Sequence, residues 1–320
     1  MNLDIIIPCY NAKKTIAKTL SSICLQERCE DINVYLVNDC SDYDYSFFIN
    51  FFSNFIKIKE LRTPENVGPG GAREYGIQNS NSEYIMFIDS DDYFYSFDSV
   101  ITLYNSIIER KNDLLHSAFL YTRDNEIKVM DHDMTWLHGK IYRRDFIKKH
   151  DVHFNNTRAN EDNGFNRVLF LLSQDNYSYI ENITYVYNEN PESITRKNNR
   201  EYRFTGLEGF AYNMNWAMRE ALKRGANRQS ITILAMNLLV AMYYYYLELN
   251  DEYDVYKILE WSVPTKKYLD NDSNYDESLY GKLVEEKRNE WNSDGKIDEF
   301  IDFDEFLRRL NEVVEKSTEN

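Results

Sequence analysis

Along the first 120 residues, short apolar runs alternate with longer amphipathic stretches. Residues 3–8, 33–38, 56–62 and 84–88 have the length and branched or aromatic content of strands. Between them, residues 13–25 set Ile16, Leu20, Ile23 and Cys24 at helical spacing, and 43–53 and 96–110 read as further helices. Residues 64–71 hold Pro64, Asn66, Gly68, Pro69, Gly70 and Gly71, a turn that should open a helix from Ala72. Residues 114–121 are expected to be extended. This alternation predicts an α/β fold, a mostly parallel sheet flanked by helices. From Thr135 to about Arg200 the pattern is mixed, with a helix around 165–172 and a strand at 180–187. Beyond Arg200 only helical patterns remain. The expected division is therefore 1–200 and a mainly α-helical region, 201–320. Ligands of open α/β sheets bind at the carboxyl ends of the strands, so the chemistry belongs there.

Composition narrows the classes. The chain has 320 residues, 37 Lys+Arg against 53 Asp+Glu, and a formal net charge of −16. A general nucleic-acid-binding surface needs clustered cations, so that role is argued against. With 43% hydrophobic residues, overall disorder is excluded. The four cysteines, Cys9, Cys24, Cys29 and Cys40, complete neither a zinc site nor a disulfide framework, which points to free thiols in a reducing cytoplasm. Met1-Asn2-Leu3-Asp4 lacks a basic region, so no signal peptide is expected. Residues 230–247 carry no charge and approach the length of a membrane span. Asn237 and the run Tyr243-Tyr244-Tyr245-Tyr246 favour a buried or partner-facing helix instead. Peripheral membrane contact and self-association are the other uses such a helix has.

Four constellations carry chemistry. Asp89-Ser90-Asp91-Asp92 follows the strand at 84–88, and acids this close repel unless a cation compensates; hard oxygens suit Mg²⁺ or Mn²⁺. An acidic solvated loop is the plain alternative. In Asn66-Val67-Gly68-Pro69-Gly70-Gly71-Ala72-Arg73 the glycines allow close backbone approach and the next helix start favours an anion. An ordinary turn before a helix explains the same residues. Asn160-Glu161-Asp162 stands before a helix, where a carboxylate is either a cap or, in a pocket, a general base. Ser193 to Arg196 offers a hydroxyl and a guanidinium for phosphate oxygens, or only a surface loop. His138, beside Gly139-Lys140, is a candidate to face a bound ligand. Asp131-His132-Asp133 reads as a solvated loop, and His150 and His153 as surface residues.

The order of these segments says more than any one of them. Ile5-Ile6-Ile7-Pro8-Cys9-Tyr10-Asn11, Val37-Asn38-Asp39-Cys40-Ser41, Asn66-Val67-Gly68 with Ala72-Arg73, and Phe87-Ile88-Asp89-Ser90-Asp91-Asp92 come in succession. Gly139 to Arg144 and Glu161-Asp162 follow. The set resembles the family-2 inverting nucleotide-sugar glycosyltransferases of GT-A (Rossmann-like) fold over about residues 1–200. The resemblance implies that Pro8, Tyr10 and Asn11 line the nucleotide base and that Asp39 hydrogen-bonds uracil. It implies that Asn66, Gly68 and Arg73 lie near nucleotide and diphosphate, Asp89 and Ser90 near ribose and sugar, and that Asp91 is the metal ligand. Asp162 matches the catalytic base, with Glu161 beside it near the acceptor, and Arg196 a segment that closes over the diphosphate. One departure is Asn38-Asp39-Cys40-Ser41, where the family often has two acids before Gly-Ser. The second acid is kept, while Cys40 in place of glycine bears on the turn.

The expected function is transfer of a sugar from a UDP-sugar, with Mn²⁺ or Mg²⁺, to an acceptor hydroxyl with inversion. A cell-surface glycan or teichoic-acid-like polymer is the expected acceptor, reached at the inner face of the membrane. The helical region would bind acceptor or form a homo-oligomer. Alternatives are a nucleotidyltransferase, a non-catalytic sugar-nucleotide binding module, and a transferase acting on modified DNA or protein.

Overall fold

The computed structural model describes the chain except residues 124–125, 158, 189, 191–199, 250, 277, 293–301 and 318–320. It divides into two compact units, Met1–Thr205 and Gly206–Asn320. Unit 1 is built on one nine-stranded sheet. Its strands are β1 (Leu3–Cys9), β2 (Ile32–Asn38), β3 (Lys57–Arg62), β4 (Tyr84–Phe87), β5 (Tyr93–Phe94), β6 (Leu114–Arg123), β7 (Glu126–Met130), β8 (Lys140–Arg143) and β9 (Tyr177–Tyr187). They lie in the order β3-β2-β1-β4-β8-β6-β9-β5, with β7 on β6.

The half formed by β3, β2, β1 and β4 is parallel, as the alternating pattern predicts. The other half is mixed: β8 runs antiparallel to β4 and β6, β5 antiparallel to β9, and β6 parallel to β9. Six of the seven residues of β1 are buried, the reading of a strand covered on both faces. Helices α1 (Ile16–Cys24), α2 (Ser46–Phe52), α3 (Gly68–Asn79), α4 (Ser99–Arg110), α5 (Arg144–Lys149) and α6 (Glu161–Ser173) flank the sheet.

Helix α3 starts four residues earlier than the turn-rich sequence suggests, because the Gly/Pro run forms its first turn. Pro69 sits where its fixed φ suits helix entry and its missing N–H costs nothing. Gly70 is there for space, since a Cβ would stand 2.6 Å from Glu161 Cγ. That absent methyl lets α6 approach α3.

Unit 2 is helical. Its elements are α7 (Arg200–Lys223, entering from unit 1), α8 (Arg228–Leu247), α9 (Glu252–Asp270), α10 (Leu279–Asn292) and α11 (Phe303–Lys316). Helix α8 is long and apolar enough to cross a membrane, yet 67% of its most apolar 18-residue stretch is buried. Tyr243 and Tyr246 pack on Phe306 of α11, and Tyr244 Oη donates to Val284 O of α10 at 2.6 Å. The tyrosine run is therefore core, with its hydroxyls finding partners.

Asp4 breaks the apolar run of β1 and is fully buried. Its carboxylate accepts from Asn33 Nδ2, Ser82 Oγ and the N–H groups of Asn81 and Ser82, at 2.6–2.9 Å. Four donors repay the desolvation of one charge and tie the α3–β4 connection to β1. Asp4→Ala strands those donors and should cost about 3 kcal/mol, read as a lower urea midpoint.

Candidate active site

The carboxyl ends of β1, β2 and β4 lie side by side and present three loops. After β1, Tyr10 is 54% exposed, while Asn11 takes a left-handed φ of 52°. Asn11 N–H donates to Ser41 Oγ at 3.0 Å, and Asn11 Oδ1 accepts from Asp42 N–H at 3.1 Å. The first two loops are thus locked together. Pro8 sits half-buried in β1 just before them.

Asp39 is buried at the end of β2. Its Oδ1 accepts from Thr63 Oγ1 and Val67 N–H, and Oδ2 from Gly68 N–H, each at 2.9 Å. A carboxylate has about four acceptor directions. Three are spent holding the start of α3, leaving about one for an incoming N–H. Asn66 is exposed and its Nδ2 reaches Asp39 O at 3.3 Å. Cys40 occupies the family's glycine position with φ 55°, so the turn survives with a strained residue in it. A cavity of about 460 Å³ lies beside these loops, lined by Ser41 to Asp44, Glu60 and Arg62. It holds none of the acids at the end of β4.

Those acids form a tight turn, closed by Asp92 N–H donating to Asp89 O at 3.1 Å. Tyr185, from β9, holds the turn at both ends. Its Oη accepts from Asp89 N–H at 3.2 Å and donates to Asp92 Oδ2 at 2.6 Å. Asp92 is 1% exposed and also accepts from Asn188 N–H at 2.8 Å. Burial, then Asp89 and Asp91, push its carboxyl well above the usual range. Asp91 is partly buried, accepts from Asn190 Nδ2 at 2.8 Å, and is pushed up by burial and by Asp89. Ser90 lies partly exposed between them.

His138 completes the cluster. Its ring is buried, stacked on Tyr185 at 4.8 Å, with Nε2 3.8 Å from Asp89 Oδ2 and 3.7 Å from Asp92 Oδ2. Single donor atoms of Asp89, Asp92 and His138 lie within 4.8 Å of one another. Three acids on four residues, two held up in pKa by burial and then by mutual repulsion, fit a divalent cation. The resemblance singled out Asp91 from this turn as the metal ligand; among the described residues the close group is instead Asp89, Asp92 and His138. Nothing local in the sequence joins His138 to the turn, and Tyr185 carries no motif.

Arg73, on α3, is 5% exposed. Nη2 donates to Asp89 Oδ1 at 2.6 Å and Nη1 to Glu161 Oε1 at 2.9 Å. The guanidinium the sequence placed near the diphosphate is thus spent on two carboxylates. Burial raises Asp89, but Arg73 and then His138 outweigh it and hold the carboxyl well below its usual range. Asp162, on the next residue of α6, has no such partner. Among the described residues its Oδ1 accepts only from the neighbouring Asn163 N–H at 2.8 Å, and the N-cap is Asn160, so Asp162 is not the cap. Burial and then Glu161 push its carboxyl up to about 7. Asp89 and Asp162, on the two elements, are thus driven in opposite directions.

One expectation holds only in part: Asp131 and His132 are exposed, but Asp133 is not simply solvated. It pairs with Lys140 Nζ at 2.9 Å, and Lys140 is 1% exposed, because a buried ammonium requires a carboxylate close by. His153 is exposed, between Glu74 and Asp151. Ser193 and Arg196 lie outside the described residues.

A sheet with nucleotide-type loops, an acid turn and a raised carboxyl defines a GT-A-fold glycosyltransferase domain. The family model described as "Glycosyl transferase family 2" matches residues 4–159. Residues 4–159 are thus similar to glycosyltransferase family 2. The chain is 25% identical over 189 residues to the poly(ribitol-phosphate) beta-N-acetylglucosaminyltransferase TarS of Staphylococcus aureus, covering 53% of this chain and 33% of TarS. It is 26% identical over 194 residues to a poly(ribitol-phosphate) beta-glucosyltransferase of Bacillus spizizenii, covering 54% and 30%. The chain spans 18–52% of the length of such curated relatives. The structure of S. aureus TarS 1–349 with UDP-GlcNAc has the same fold, at TM-score 0.70 and 18% identity over 90% of this chain and 92% of that one. A mannosyltransferase of Pyrobaculum calidifontis with GDP-Man and Mn²⁺ matches at TM-score 0.58 and 12% identity, covering 90% and 79%.

Arg73→Ala leaves Asp89 and Glu161 facing each other uncompensated and should cost about 3 kcal/mol at pH 7. Asp89 titrates below its unfolded pKa of about 4, so its stabilisation exists above that pH and is lost as pH falls. The gap between wild type and variant should narrow below about pH 4 in thermal melts.

Proposed function

We propose that the chain transfers a sugar from a UDP-sugar to an acceptor hydroxyl with inversion at the anomeric carbon. The observation that carries this is Asp162, a carboxyl poised near 7 on a helix joined through Glu161 and Arg73 to the acid turn. Asp162 takes the acceptor proton as the oxygen attacks. Asp39 offers its remaining acceptor direction to the base N–H, with Pro8, Tyr10 and Asn11 around the ring. Asp91, with Asp89, Asp92 and His138, would hold Mn²⁺ or Mg²⁺, which when bound offsets charge on the departing diphosphate. Arg73 acts through its two carboxylates rather than on the donor.

The TarS complex with UDP-GlcNAc supports the donor class, and the Mn²⁺ complex of the mannosyltransferase supports a metal. The names of two relatives support a phosphate-linked polyol polymer as acceptor, hence a role in cell-surface polymer synthesis. Four free thiols support a cytoplasmic location, at the membrane's inner face. Acceptor binding or self-association is the role assigned to unit 2.

Product analysis with UDP-GlcNAc and a ribitol-phosphate oligomer tests the reaction. Free UDP with a glycosylated oligomer is expected; pyrophosphate would instead mark nucleotidyl transfer, and donor binding without product a binding module. Because Asp162 must be ionised, kcat/KM should rise with pH and level off above about 7. Asp162→Asn should lower turnover by ~10²–10⁴ with donor KM within a few-fold. Chelator should abolish transfer, and added Mn²⁺ restore it.

A further inference from the structure

Unit 2 contains a cavity of about 400 Å³ between α7, the start of α8 and the end of α9. Met218 and Leu222 of α7 and Tyr268 of α9 give it an apolar wall. Three cations stand around it, Arg219, Arg228 and Lys267, one from each helix. No described carboxylate lies within ion-pair distance of any of them. Their neighbours differ: Arg224 pairs with Glu220, and Lys266 with Asp270, each one turn away. The one acid at the cavity, Asp272, is buried and already occupied. It accepts from Thr232 Oγ1 and, at 3.0 Å, from the backbone and side-chain N–H groups of Asn274.

Three cations against the single carboxylate of Asp272 leave an excess of positive charge around one cavity, which a net charge of −16 would not predict from composition. The start of α8 adds to the same sign, since a helix N-terminus is its positive end. An anion is the missing element. Two guanidinium forks suit phosphate oxygens in pairs, while the lysine supplies a point charge. Carbon-rich walls suit the chain between phosphates.

We infer that this cavity binds the acceptor, a polyol chain linked by phosphodiesters, through its phosphate groups. The identity of the chain rests on the proposed transfer reaction; the anion preference rests on the cavity alone.

A ribitol-phosphate oligomer is the probe, titrated calorimetrically into the full chain at low and high salt. The variant Arg219→Gln/Arg228→Gln/Lys267→Gln removes the three charges. Lys257→Gln/Lys282→Gln/Arg308→Gln removes as many elsewhere in the unit. The first should weaken oligomer binding by about tenfold or more and flatten its salt dependence, and the second by less than about twofold. UDP affinity should stay unchanged in both. In turnover, the first should raise acceptor KM about tenfold with donor KM unchanged. Equal losses in both variants, or oligomer binding as in wild type, would overturn the inference, as would an unchanged acceptor KM. Arg219→Gln alone, at an exposed position, gives the same reading on a smaller scale if the triple variant melts early. Should no sugar transfer occur, the calorimetry still decides the cavity by itself.

Discussion

A buried guanidinium between two carboxylates is the constraint on which the candidate active site depends. Arg73 reaches Asp89 across 16 residues of sequence and Glu161 across 88, joining the acid turn after β4 to the start of α6. Without the cation these acids would repel in a poorly solvated space, and the two elements could not share one site. With it, Asp89 stays ionised and Glu161 is held in place. Asp162, one residue on, feels burial and Glu161 more strongly than it feels Arg73. A single ion-pair bridge therefore sets geometry and proton affinity together.

That bridge has a steric condition. Glu161 reaches Arg73 because position 70 carries no side chain, so the glycine serves helix packing here rather than phosphate approach. The same segment is anchored at its other end by Asp39, whose carboxylate takes the first free N–H groups of the α3 region. The loop after β2, the acid turn and the start of α6 are thus linked through α3. Strain is accepted where the turn needs it, as at Cys40, which takes a conformation that glycine adopts without penalty.

The cation balance of the two units differs in kind. In unit 1 the buried cations, Arg73 and Lys140, each meet carboxylates directly. In unit 2 three cations gather around a cavity without such partners. Net charge conceals both arrangements, because it sums over distances at which solvent screens one group from another.

Local pattern by itself determined the parallel half of the sheet, its helices and the helical second unit, because periodicity of burial is written in consecutive residues. The ordered motifs brought Asp39, Arg73, Asp89, Asp91 and Asp162 into view for the same reason, each lying at a strand end or helix start. The antiparallel half was less legible: β5 has two residues, and β8 and β9 enter the sheet by long-range pairing. Tertiary structure alone decided that Arg73 serves two acids, that Tyr185 and His138 complete the acid turn, and that Asp133 pairs with the buried Lys140. Each is a contact between groups far apart in sequence, and its energy comes from removing water around both partners at once. No run of neighbouring residues records which distant group will be there.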